Sequence, residues 1–348
     1  MAEIAIPKEG LSFGEVLPLR KIGPVERLLG PESYRIVVAL MRTPVSILGF
    51  SLIAFFTVIA IAAPWIAPPL NPNNPYDVPR DGFSAEPRPM MSEWKREQPP
   101  LPTWWKPIMG TDEWVHLLGT SEGQYDLFYS IIWGTRTAFK TGLIVTFATL
   151  VIGVLVGSIS AFYGGAVDNV IMRGVDIMLT LPFILAALIL AAVLTPKIGR
   201  SLIPATVALI VFGWMQYARL IRGDILSVKQ RDYVMAARVI GVKDTRIMTR
   251  HIIPNAVFPT LIYASLAIGD VVLSFAALSF LGIGTPIGYA DWGQTLSFAR
   301  NWITALSTYW YIVVWPGVTL VLFVMGWNLV GDALRDVFDP RMRGRGGA

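Results

Sequence analysis

Six apolar runs constrain this chain more than any other feature: Val45 to Ala63, Thr141 to Phe162, Ile177 to Leu194, Leu202 to Tyr217, Ala256 to Leu281 and Tyr311 to Leu329. Nineteen residues of α-helix rise ~28 Å, close to the hydrocarbon thickness of a bilayer. Five of the runs carry no charge, and the fifth in order carries one, Asp270. The fourth is the shortest, but Trp214 and Tyr217 suit the interface and finish the crossing. The pattern predicts an all-α polytopic membrane protein with six transmembrane helices.

Composition narrows the function. Only 15% of the residues are charged, against about 25% in soluble chains, which speaks against an ordinary cytosolic enzyme. With no cysteine, disulfides, iron–sulfur clusters and thiolate zinc sites are excluded. Two histidines, His116 and His251, leave little room for a histidine-built metal site or triad. A net charge of +5, scattered among apolar runs, does not suit nucleic acid.

Orientation follows from lysine and arginine in the short loops. With the N-terminus inside, segments 163–176, 218–255 and 332–348 hold thirteen basic residues, and the short external loops hold three, Lys197, Arg200 and Arg300. Both termini are therefore expected in the cytoplasm of a cell-membrane protein. The chain divides into a cytoplasmic lead-in (1–44), a first span (45–63) retained rather than cleaved, an external segment (64–140), a five-helix core (141–331) and a tail (332–348). The lead-in is broken by Pro7, Pro18, Pro24 and Pro31. In the external segment, Pro, Asn and tryptophans such as Trp94, Trp104, Trp105 and Trp114 predict an irregular lobe with interfacial anchors. Tyr125 to Phe139, with Arg136, reads as an interfacial helix. Gly153 and Gly157, four apart, predict a close helix contact, and Pro182 predicts a kink.

The loop 218–255 is too long for a turn and has helical composition. Gly241 suits a left-handed helix end, Asp244 can cap the next helix, and Pro254 predicts a break before the fifth span. Ala236, Ala237 and Gly241 would form a small-residue tip with room to enter a groove of another protein.

The run Ala236-Ala237, Gly241, His251-Ile-Ile-Pro254 resembles the cytoplasmic loop of permease subunits of binding-protein-dependent ABC importers. Phe162-Tyr-Gly-Gly165, Asp176 with Pro182, Leu278-Ser-Phe-Leu-Gly282-Ile-Gly284, Asp291-Trp-Gly293 and Asn328 to Arg341 extend the likeness to the dipeptide/oligopeptide/nickel branch, second permease of the pair. The resemblance implies a type I ABC importer permease fold. It also implies a coupling loop over 232–254 in which Asp232, Ala236, Ala237, Arg238, Gly241, Asp244, Arg250, His251 and Pro254 meet an ATPase subunit. The implied partners are a second homologous permease, two ABC ATPases that supply ATP and Mg chemistry, a solute-binding protein and the bilayer, with no cofactor on this chain and no nucleic acid. The family's leading acid in the loop is Met235 here. Its acidic position in span five is Phe275, and Asp270 stands where glycine is usual. Its Gly-Thr-Asp-Glu-Leu-Gly-Arg-Asp pattern reads Gly119-Thr-Ser-Glu-Gly-Gln-Tyr-Asp126.

Asp270, with Ser274 and Phe275 beside it, belongs either to a solute pathway or to a subunit interface. His251 reads as loop packing, and Arg341, Arg343 and Arg345 as a tail against anionic lipid. An intramembrane enzyme would need a nucleophile–base pair or paired acids, and the spans offer Asp270 alone. An ion-driven carrier would show several intramembrane ionisable groups. No Gly-x-x-x-x-Gly-Lys-Ser/Thr loop occurs, so nucleotide chemistry must come from a partner. The expected solute is a peptide, an oligosaccharide or a nickel chelate.

Overall fold

The structure, a computed structural model, describes residues 30, 40, 43–96, 98–110 and 112–338. The basic tail and nearly all of the lead-in lie outside the described residues. Helix α1 (Pro44–Ile66) opens with Pro at its first position, where the missing N–H costs nothing. Pro64 inside it frees the carbonyl of Ala60. Arg136 answers by donating Nε–H to that carbonyl at 2.6 Å.

A lobe follows, with a two-residue antiparallel pair, β1 (Ser92–Glu93) and β2 (Val115–His116), and a short α2 (Trp105–Met109). The lobe is irregular, as expected, but it carries a packed core. Trp94, Trp105 and Trp114 are buried with Tyr129, Trp133 and Ala67 in one core, so the expectation of interfacial anchors fails for these three. Each indole pays for its place by area rather than by wetting, and Trp105 and Trp133 also donate to the carbonyls of Glu113 and Ala67.

His116 is fully buried between two carboxylates, Nδ1 at 2.6 Å from Asp126 and Nε2 at 3.2 Å from Asp81. Arg88 donates to the same Asp81 oxygen that His116 meets, and the other oxygen accepts the backbone N–H groups of Lys95 and Arg96. Asp126 also caps the next helix through the N–H of Tyr129. One buried hydrogen-bonded ladder thus ties three stretches of the lobe to the bundle.

That helix, α3, runs unbroken over Leu127–Tyr163. The interfacial helix expected over Tyr125 to Phe139 is therefore the first third of the second span. Next come α4 (Gly165–Leu179) and α5 (Phe183–Ile198), bent by 87° at a break that includes Pro182. The run Ile177 to Leu194 is accordingly not one straight span. Proline has no N–H to give, and its ring disfavours helix at the residue before it.

Helix α6 (Leu202–Val228) outlasts the apolar run by more than two turns. Its polar end is held by ion pairs, Arg219 to Asp176 and Arg222 to Asp168, so the loop expected from residue 218 starts only after Val228. Two short helices, α7 (Asp232–Val239) and α8 (Asp244–Ile247), precede a π turn (Met248–Ile252) and α9 (Ile253–Phe280). The remaining helices are α10 (Trp292–Phe298), α11 (Leu306–Tyr309) and α12 (Tyr311–Phe338). Among the described residues five helical stretches are long and apolar enough to cross a membrane, and six if the bent pair counts as one.

The α3–α6 pair forms the most extensive interface. A Cβ on Gly157 would stand 2.3 Å from the Ala218 carbonyl oxygen, and one on Gly153 2.4 Å from Tyr217 Cβ. The spacing of small residues therefore does set a close backbone contact. The Asp291-Trp292-Gly293 motif is a second such joint. Asp291 caps α10, Trp292 donates to the Ile131 carbonyl, and Gly293 lies against the Ala276 backbone.

Candidate functional site

The α7–α8 turn stands at the end of the bundle opposite the lobe. Gly241 holds φ at +77°, its N–H bonding the Arg238 carbonyl, while the N–H of Val242 bonds that of Ala237. This pair of bonds is a Schellman ending, which needs a residue without a Cβ at the left-handed position. Asp244 does not cap α8. Lys243 occupies the cap position, and Asp244 sits in the first turn, 3.8 Å from Arg238 across the turn.

Pro254 makes no break either. In a regular helix its ring would strike the carbonyl of Arg250. The π turn Met248–Ile252, holding Arg250 and His251, widens the backbone there, and α9 carries on.

The turn has a firm base. Val234, Ile247, Met248 and Ile252 are buried against Ala161, Ile221 and Ile225. Arg222 grips Asp168 with two nitrogens, at 2.6 and 2.5 Å, and Ser160 adds its hydroxyl to the same carboxylate. Lys229 donates to the carbonyls of Ala161 and Phe162 at the end of α3. Burial pulls the Lys229 ammonium below its usual range, and Arg238 adds to this, while Asp244 and Asp168 oppose it.

Outward, the turn presents Asp232, Ala236, Arg238 and Gly241, whereas Ala237 is half-buried against the base. Beside them lie Val239 and Ile240, 86% and 78% exposed. Sequence reading missed this pair because it looked for small residues. The available signal was two β-branched residues, Val239 and Ile240, directly before the helix-ending Gly241 in an otherwise polar loop.

A second feature lies at membrane depth. A cavity of about 360 Å³ is lined by Asp270, Ser274, Tyr217, Tyr263, Gln216 and Thr149. Leu181 and Phe183, at the α4–α5 break, close one side. Asp270 is ten residues from the end of α9, ~15 Å of rise and about half the hydrocarbon thickness.

An acid facing lipid there costs roughly 2.5–3.5 kcal/mol on insertion scales, so its exposed position points to a polar neighbour. Tyr217 is not an interfacial anchor; it is 3% exposed, mid-helix, in edge contact with Tyr263. Phe275, expected with Asp270 and Ser274, is buried instead with Val145, Leu209 and Leu278. Nearer the lobe, Asp291 is wholly buried, which raises its carboxyl to about 6 against the lowering effect of hydrogen bonds from Gly293 and Thr285. Among the described residues no three His, Asp or Glu side chains are grouped to hold a metal.

Residues 151–344 match the family described as binding-protein-dependent transport system inner membrane component. The dipeptide transport system permease protein DppC of Haemophilus influenzae is 32% identical over 298 residues, 86% of this chain and 91% of that one. DppC of Alkalihalophilus pseudofirmus is 35% identical over 66% of this chain and 73% of its own length. The oligopeptide transport system permease protein OppC of Bacillus subtilis is 35% identical over 66% and 72%. A solved chain of the MetNI methionine ABC transporter, inward facing, superposes with TM-score 0.51 at 18% identity over 61% of this chain and 97% of that one, so the expected ABC permease fold is the fold observed.

Proposed function

Because this chain belongs to the family of binding-protein-dependent transport system inner membrane components, we propose that it is one permease subunit of an ATP-driven peptide importer. A second, homologous permease completes the pathway across the membrane. Two ABC ATPase subunits bind ATP and Mg and do the hydrolysis, and this chain catalyses no reaction. An extracytoplasmic solute-binding protein delivers cargo to the lobe end. The α7–α8 end and both termini face the cytoplasm. The names of the similar permeases, for dipeptides and oligopeptides, favour peptides over oligosaccharides or nickel chelates.

The observation that carries the coupling role is the α7–α8 turn: an apolar tip of Val239 and Ile240 on a buried, ion-paired base. Exposed apolar side chains on a rigid mount suit insertion into a groove, where a docking helix uses a few anchors. The base would transmit a push on the tip to α3, α6 and α9 together.

Site-directed cross-linking tests this, and the absence of cysteine makes single-site labelling clean. Ile240→Cys should cross-link to an ATPase subunit in the assembled complex, and Phe83→Cys in the lobe should cross-link to the binding protein. The reverse pattern, or no ATPase adduct at Ile240→Cys, refutes the assignment and its orientation.

A further inference from the structure

We propose that the cavity around Asp270 is a subsite for a positively charged amine of the passing solute. This rests on the permease reading above and adds the chemistry that the pathway would recognise. Three observations converge there. The Asp270 carboxylate is exposed to the cavity and accepts no hydrogen bond among the described residues. The hydroxyl of Tyr217, a buried residue, lines the same cavity beside the Thr149 hydroxyl, whose own proton goes to the carbonyls of Val145 and Thr146, so the phenol oxygen keeps free acceptor capacity. The rings of Tyr217 and Tyr263, both on the cavity wall, meet edge to face with centroids 5.2 Å apart.

An ammonium group answers all three at once. It donates to the carboxylate and to the phenol oxygen, and it is attracted to an aromatic face. Gln216 and Ser274 add polar atoms on the wall. A chain that merely lined a neutral pore would gain nothing from an unpartnered acid at this depth. The cavity also sits at the α4–α5 break, with Leu181 and Phe183 on its wall, so a bound amine would lie where the bundle is least continuous.

Ser274 gives the test its handle. It lies one turn beyond Asp270, on the same face, and its hydroxyl bonds the Asp270 backbone carbonyl at 2.8 Å. In the assembled complex without binding protein, Ser274→Cys is labelled with cationic 2-(trimethylammonium)ethyl methanethiosulfonate and with the anionic 2-sulfonatoethyl reagent. Adducts are read as the mass of this chain. The cationic reagent should react faster by on the order of tenfold, as field focusing in a charged cleft requires. Adding Asp270→Asn should bring the ratio to near one.

Tri-alanine should protect the cysteine, whereas N-acetyl-tri-alanine and potassium ion at equal ionic strength should not. Equal reactivity toward both reagents, a preference that survives Asp270→Asn, or a cysteine that neither reagent reaches overturns the proposal. The last result would mean that Asp270 is sealed in a subunit interface. Protection by potassium as good as by tri-alanine replaces the amine site with a general cation site. Labelling needs no transport, so ATP-driven uptake of tri-alanine by the wild-type assembly, measured separately, tests the permease reading on its own.

Discussion

Replacing Gly241 separates the backbone role of the turn from its docking role. The glycine sits at φ +77° with nothing within 4 Å of a built Cβ, so no substitution there meets a clash inside the chain. What remains is the left-handed conformation, which costs an ordinary L-residue about 1–2 kcal/mol and costs Asn or Asp less. By backbone alone Gly241→Ala is worse than Gly241→Asn or Gly241→Asp. A cost of that size raises the population of the opened turn roughly 5–30-fold. Amide exchange at Val242, whose N–H closes the turn, should accelerate by that factor in Gly241→Ala and by less in the other two. Docking reverses the order. Gly241→Asp places a charge beside Val239 and Ile240, where it must be desolvated in the ATPase groove, while Gly241→Asn brings a similar shape without the charge. The Asp variant should therefore lose ATPase co-purification or uptake with its turn closed, and the Asn variant should keep both. If Gly241→Asp matches Gly241→Asn in uptake, residues 232–254 are not the coupling element. If Gly241→Ala exchanges no faster than Gly241→Asn, the backbone argument is wrong.

Three other outcomes follow from the same geometry. His116→Ala empties the buried space between Asp81 and Asp126 and removes their shared hydrogen-bonding neighbour, which should cost about 1–3 kcal/mol; tryptophan fluorescence should report melting of the lobe at a lower temperature, and an unchanged transition would contradict the ladder. Asp291, raised to about 6 by burial, contributes stability that is fully present below its unfolded value near 4 and is lost as pH rises through about 6. Protection factors of the amides over 285–298, taken against the intrinsic exchange rate at each pH, should thus rise on acidification from pH 7 to 5, and Asp291→Asn should flatten that rise. Gly157→Ala forces a methyl onto the Ala218 carbonyl and should lower stability by roughly 1–3 kcal/mol; Gly174→Ala, with open space at its Cβ, should be neutral in the same thermal assay.

How much of this was legible in the sequence depends on the range of the interaction concerned. The spans were visible because apolar length is a local property. Gly241 was visible because a left-handed helix end is written in one residue, and the Gly153–Gly157 contact because helical spacing places both on one face. Boundaries set by partners far along the chain were not. Arg219 and Arg222 looked like loop residues until Asp176 and Asp168, more than forty positions away, paired with them and carried α6 onward. Pro254 looked like a break because the π turn that accommodates it is a backbone adjustment, with no residue code of its own. The cavity was half legible. Asp270 announced itself as the one acid in a span, but Tyr217 read as an interfacial anchor, because nothing local shows that α6 continues past it.

The lobe makes the same point with a practical consequence. From composition, residues 71–114 look like a removable covering, and their deletion looks like a test of contact with a binding protein. The structure gives them a different status. They supply Trp94, Trp105 and Trp114 to a core whose other wall is Tyr129 and Trp133 of α3, and Asp81 and Arg88 to the ladder that holds His116. Removing them would strip apolar and charged surface from the start of the second span. Lost uptake would then report a damaged bundle as readily as a lost contact. Phe83 and Ile108 are exposed on the lobe, clear of that core, so substitutions there ask about docking while leaving the joint between lobe and bundle in place.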